Sequence, residues 1–224
     1  MIAARPSRLF VAALFLASSL FLAGVSSASV IGNDVIQRSY IDTCNGCSFA
    51  LSTPFTTAGT VTTWSFYADT TGNSLTPLLY TKNLDGTFKI TGIGTTVTVA
   101  NLGAQTDSFN LVLGSATFTT PTYFGYRDGT QTSANQGTIS ISDSNSGALM
   151  IYFGDGGPGP NTNPAVGESL TPGTIYPNGL LQRDYSLQAT AVPVPEPSTW
   201  ILLVGCLSVL LCWRLGYLRS ASVR

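Results

Sequence analysis

Val61-Thr-Thr-Trp64-Ser-Phe66-Tyr-Ala68-Asp69 decides the fold class. Trp64, Phe66 and Ala68 alternate with Ser65, Tyr67 and Asp69, so the segment has one apolar face and one polar face. That period of two belongs to a half-buried strand. Similar short runs follow at 75–81, 87–91, 95–100, 108–114 and 122–126, and again at 137–142, 148–153 and 184–191. Turn-forming clusters separate them: Thr71-Gly-Asn73, Asp85-Gly86, Asn101-Leu-Gly103, Asp128-Gly129 and Asp143-Ser-Asn-Ser-Gly147. Gly, Asn and Asp suit such turns because they accept unusual backbone angles or bond to their own backbone. Strand-like runs about ten residues apart predict an all-β domain, an antiparallel sandwich or jelly roll. No amphipathic helix of useful length is visible. The Gly- and Pro-rich stretch from Phe153 to Pro164, aperiodic through about Asn178, reads as a long surface excursion.

This middle, residues 29–190, is rich in Thr, Ser, Gly and Asn. From Asp34 to Asp184 it carries ten acidic and five basic residues, a net of −5. A mildly acidic surface without clustered Lys and Arg argues against nucleic acid as a partner. The chain has no histidine. That removes the commonest general base and neutral metal ligand, and every Ser-His or Cys-His nucleophile.

The two ends differ from the middle. Arg5 and Arg8 precede an apolar run from Leu9 to Val25, and Ser26-Ser-Ala28 follows. A basic start, an apolar core and small residues two apart make a secretory signal, with cleavage between Ala28 and Ser29. The competing reading is an uncleaved anchor, because 17 apolar or small residues nearly span a bilayer.

At the other end, Val194-Pro195-Glu196-Pro197-Ser198-Thr199 leads into an apolar run from Trp200 to Trp213, with Arg214, Arg219 and Arg224 beyond it. Prolines at 193, 195 and 197 hold the chain extended, so a helix begins only near Ser198 or Thr199, either of which can cap it. The run of 14 residues spans about 21 Å as a helix, short of a hydrocarbon core of about 30 Å. Extension through Leu218 gives 19 residues, with Trp200 and Trp213 marking the interfaces and Arg214 reaching outward. The expected division is therefore a signal peptide at 1–28, a secreted β-rich domain at 29–190 and a Pro-rich linker at 191–199. A transmembrane helix at 200–218 and a basic cytoplasmic end at 219–224 complete it.

Motif, span and basic end, in that order, resemble the PEP-CTERM sorting signal of exported Gram-negative proteins. The resemblance covers about the last 30 residues and rests on Pro195, Glu196, Pro197, the apolar helix and the arginines. The basic end is sparser than in many such tails, with Leu-Gly-Tyr-Leu between Arg214 and Arg219. The resemblance implies recognition by an exosortase, a membrane cysteine transpeptidase. It also implies anchoring in the inner membrane before processing, then residence at the cell surface or in the extracellular matrix, in association with exopolysaccharide or biofilm.

Three features of the middle bear on chemistry. Cys44-Asn-Gly-Cys47 reads as a local disulfide closed over a tight turn, since export favours oxidation. A zinc site lacks two further ligands, and a redox site lacks its helix and βαβ setting. Closing so small a loop contributes about 2 kcal/mol. Aromatic residues at Trp64, Tyr67, Tyr80, Tyr123, Phe124 and Tyr126 lie on strands, where alternation would turn some outward into a sugar-binding platform and leave the rest in the core. The acidic residues mostly sit in turns beside Gly or Ser, and none form a marked pair. A glycosidase needs two carboxyls facing one cleft. The expectation is thus a non-enzymatic surface protein, with glycan binding through the sandwich and no cofactor, metal or catalytic residue; the rival is a secreted carbohydrate-active enzyme using two carboxylates.

Overall fold

The computed structural model describes residues 27–42, 44, 46–119, 121–129, 137–143, 147–153, 164–173, 180–194, 205–207 and 210. Residues Ser27–Pro193 form one compact unit. Its strands, in chain order, are β1 (Ser29–Gly32), β2 (Tyr40–Ile41), β3 (Ser48–Leu51), β4 (Gly59–Ala68), β5 (Ser74–Lys82), β6 (Phe88–Gly94), β7 (Val97–Thr98) and β8 (Gly103–Ser108). Then come β9 (Leu111–Gly114), β10 (Thr117–Phe118), β11 (Tyr123–Asp128), β12 (Ser140–Ser142), β13 (Leu149–Tyr152), β14 (Ser169–Leu170), β15 (Leu180–Tyr185) and β16 (Leu187–Pro193).

They form two antiparallel sheets. The smaller has the order β1-β16-β4-β10, with β8 sharing the β10 side of β4. The larger runs β14-β6-β5-β11-β3-β13-β15-β12-β2, with β7 on β5 and β9 on β6. Along β4, Val61, Trp64, Phe66 and Ala68 are buried while Thr62, Thr63, Ser65 and Tyr67 are not, as the alternation requires. The buried set packs with Leu187 and Ala189 of β16 against Phe49, Leu79, Phe124 and Met150 of the larger sheet, giving one core between two sheets. The domain is therefore all-β and sandwich-like.

The larger sheet is buried on both faces. Phe49, Leu79, Phe124 and Met150 face the shared core, whereas their neighbours Ala50, Leu78, Tyr80 and Ile151 belong to a second core with Phe88, Ile90 and Phe153. Four strand spacings of about 4.8 Å, roughly 19 Å, separate β6 from β13 in a flat sheet. Yet the rings of Phe88 and Phe153 lie 5.3 Å apart, and those of Tyr80 and Phe153 5.1 Å. The sheet must curl around this second core. The segment around β14 bridges the opening: the Ile90 N–H donates to the Glu168 carbonyl at 2.8 Å and the Gly173 N–H to that of Tyr152 at 2.7 Å, with Leu170 buried beneath.

Several boundaries differ from those read in the sequence. The run expected at 108–114 is two strands, β8 and β9, the first beginning inside the expected turn at 101–103. The closing run is likewise divided between β15 and β16, and Asp128, expected in a turn, ends β11 and is buried. Strands β1, β2, β3 and β14 lie where no strand was expected. For β1, β8 and β14, pairing with a longer neighbour outweighs weak local preference.

The expected signal segment before Ser27, and the tail positions Pro195, Glu196, Pro197, Trp200, Trp213, Arg214 and Arg219, lie outside the described residues. Residues 205–207 and 210 are helical. Among the described residues no helix is long and apolar enough to cross a membrane.

Gly125 sets how closely β11 approaches β3. A Cβ at this position would run into the Phe49 carbonyl and the backbone at Ala50, and two ladder strands cannot separate without losing hydrogen bonds. Gly125→Ala should cost about 1–3 kcal/mol. Thermal unfolding checks this; an unchanged melting temperature would contradict the close approach.

Candidate functional site

The motif Cys44-x-x-Cys47 folds as a tight loop between β2 and β3. Gly46 has φ of +74°, a left-handed angle that glycine adopts without penalty. The structure joins Cys44 to Cys47, with Cα atoms 5.8 Å apart. The loop is tied down from both sides. The Cys44 N–H donates to Asp42 Oδ1 at 3.1 Å, the Tyr185 hydroxyl donates to Asp42 Oδ2, and the Asp128 N–H donates to the Cys47 carbonyl at 3.0 Å.

Sequence reading gave no role to Asp42, because its partner Tyr185 is 143 residues away. Asp42 belongs to a set of buried carboxylates at the ends of the larger sheet's strands. Asp128 accepts from the Thr138 N–H at 3.1 Å and from the Thr138 hydroxyl at 3.4 Å. Asp184 accepts from the Gly147 N–H at 3.1 Å. These partners are internal and join segments distant in the chain, so the carboxylates brace loops. Among the described residues no group of three or more Cys, Asp or Glu side chains is placed to hold a metal ion. Asp143 pairs with Arg183 at 3.6 Å.

The aromatic platform needs correction. Trp64, Tyr80, Phe124 and Tyr126 are buried, and Tyr123 is half-buried, its ring 5.0 Å from Phe88 and packed on the second core. Of the six, only Tyr67 sits partly open on the outer face of the smaller sheet. Trp64 faces the shared core from the smaller sheet; on the larger sheet's central strands, burial of both faces lets alternation move Tyr80, Phe124 and Tyr126 from one core to the other.

Burial raises the pKa of three phenols. Tyr185 is pushed well up by desolvation and then by the Asp42 charge and hydrogen bond; Tyr126 by desolvation and then by Tyr185, Asp42 and Asp128. Tyr80 is raised by desolvation alone to any great extent, and its hydroxyl, beside Ser48, makes no hydrogen bond of normal geometry. Arg127, facing the second core, has its pKa lowered by burial, against the opposing pull of Tyr80 and Glu168.

No protein-family model matches the chain, and comparison with curated proteins gives no match.

The raised phenols make stability depend on pH in the alkaline range. In the unfolded chain tyrosine ionises near pH 10, whereas in the folded domain these three resist ionisation, so their stabilising effect is present below about pH 10 and lost above it. Phenolate absorbance from Tyr80, Tyr126 and Tyr185 should appear only together with loss of near-ultraviolet circular dichroism. Tyr185→Phe should cost about 1–3 kcal/mol by leaving a buried Asp42 oxygen without its donor, while Tyr80→Phe should be neutral or stabilising. Equal losses in the two variants would contradict this assignment.

Peptide mass spectrometry of the purified, non-reduced protein should find Cys44 and Cys47 linked to each other. Free thiols, or zinc at one equivalent, would show the loop to be something other than a structural crosslink.

Proposed function

We propose that the chain is an exported, non-enzymatic bacterial surface or extracellular-matrix protein, sorted through a PEP-CTERM tail and associated with exopolysaccharide or biofilm. The observation that carries this reading is the ordered tail: Pro195-Glu196-Pro197, the apolar run from Trp200, then Arg214, Arg219 and Arg224. In this reading 200–218 spans the inner membrane. Each central Leu or Ile favours insertion by some tenths of a kcal/mol, while an arginine at mid-bilayer costs about 2.5 kcal/mol or more. The arginines therefore stay cytoplasmic, the β domain lies outside, and an exosortase-type enzyme meets the motif between them.

The limits of the compact unit support the same division. It begins at Ser27, beside the expected cleavage point, and ends at Pro193, where β16 takes up the first three residues of the expected Pro-rich linker. Cleavage between Ala28 and Ser29 leaves β1 whole, with Ser29 still opposite Ala191 of β16. The Cys44–Cys47 link suits an oxidising compartment.

Replacing Glu196 with Ala, or ending the chain after Pro195, should abolish surface display, read by fractionation and by protease accessibility on intact cells. Display unchanged by the truncation would refute the sorting role of the tail.

A further inference from the structure

We propose that the outer face of the smaller sheet is a binding surface for a neutral, extended polysaccharide. The register puts Thr190, Thr63 and Ser108 side by side on β16, β4 and β8, and in the next outward row Gln188, Ser65 and Thr106. Thr60 and Thr117 continue the pattern where β4 meets β10. These positions are half-buried or exposed, whereas their inward neighbours Trp64, Phe66, Leu187 and Ala189 are buried.

Three properties of the face select its occupant. First, no described strand position on it carries a charge. An anionic polymer laid here would lose hydration without gaining a counter-charge, and would approach a domain that is itself acidic. Second, the polar groups presented are hydroxyls and one amide, each able both to donate and to accept, which matches the two-way hydrogen bonding of sugar hydroxyls; exposed Val30 of β1, opposite Thr190, and Val192 of β16, opposite Thr60, add small apolar patches that can lie against the C–H face of a sugar ring. Third, they are already ordered. Ser65 Oγ and Thr106 Oγ1 are 2.8 Å apart, as are Thr60 Oγ1 and Thr117 Oγ1. Cross-strand bonds of this kind fix side-chain rotamers before a ligand arrives, so little ordering remains to oppose binding.

Apart from Tyr67 the face has no aromatic or guanidinium anchor of the sort that concentrates energy in protein interfaces. Its dimensions suit a linear polymer. From Thr60 to Tyr67 is about 23 Å along β4, and β1 to β8 is about 14 Å across. Tyr67, half-buried at one end, supplies a single ring on which a sugar can stack.

This inference rests on the reading that the domain works outside the cell among polysaccharide, and its test is kept separate from sorting by using purified protein. Full-length chain in mild detergent is sedimented with cellulose, with chitin and with alginate. Retention is expected on at least one of the two neutral polymers and absent on alginate. The T106E/T190E variant, folded as judged by circular dichroism, should bind at least tenfold more weakly; T106S/T190S, and L84E in a distant loop, should bind like the parent. Three results would overturn the inference: no retention on either neutral polymer, retention insensitive to T106E/T190E, or a dimer that T106E/T190E splits while the polymers are ignored. The last would assign the face to a second copy of this chain. A protein that sorts through its tail yet ignores both polymers overturns this inference alone.

Discussion

The last strand of the domain lies inside its smaller sheet. β16 is hydrogen-bonded to β1 on one side and to β4 on the other, with Ile31 opposite Ala189 and Phe66 opposite Leu187. Neither β1 nor the apolar face of β4 has its full complement of neighbours until residues about 120–160 positions later have arrived, and such long closures are slow to form. Folding therefore waits for the end of the domain. For a chain that crosses a membrane before it folds, this order is an advantage: the unfinished sheet cannot lock while residues remain on the far side. The same pairing puts both ends of the domain on adjoining strands, an arrangement that, in the proposed reading, lets a leader be removed and a tail retained without breaking a ladder.

The larger sheet depends on the smaller one for only half of its core. Phe49 of β3 is its hub, with ring centroids 5.2, 5.8 and 5.6 Å from Tyr126, Tyr152 and Tyr185 on β11, β13 and β15. Those contacts face the shared core, and the curl encloses the other face. This accounts for what was legible in the sequence. β4 reads easily because one of its faces is wet, and the turns around Gly72 and Gly86 punctuate β5. β3, Ser-Phe-Ala-Leu, is buried at all four positions and too short for any period to show. β8, Gly-Ala-Gln-Thr-Asp-Ser, has the composition of a turn and is a strand only because β4 offers it six partners.

The candidate sites divide along similar lines. The local feature was readable: the Cys44–Cys47 loop needs only four residues. Features assembled by topology were not. Asp42 acquires its meaning from Tyr185, and Asp184 from the Gly147 amide, at separations that no local pattern reveals. The aromatic residues were read as strand residues, and so they are. Their exposure could not be read: Trp64, Phe124 and Tyr126 are buried by the partner sheet, and Tyr80 by a second layer of packing to which Leu170, in a stretch without periodicity, contributes.

Charge-free strands carry a hazard that the structure meets by shape. Leu111, Val112 and Leu113 of β9 are exposed at an edge of the larger sheet with no charge among them, a composition that invites another strand. Three features limit that. β9 is four residues long. Its register on β6 shifts between Ile93 and Gly94, and such an irregularity twists an edge away from a straight partner. Gly114, at φ of +86°, turns the chain immediately afterwards. The outer face of the smaller sheet meets the same hazard differently. Thr and Ser favour the extended backbone as apolar β-branched residues do, yet their hydroxyls keep the surface hydrated and bond across strands, so a neutral face stays strand-forming without becoming a hydrophobic patch. A domain using Lys and Glu for solubility would repel or pair with whatever it met. By keeping charge off the outward positions of the smaller sheet's described strands, this one leaves a face whose polar contacts are made through hydroxyls.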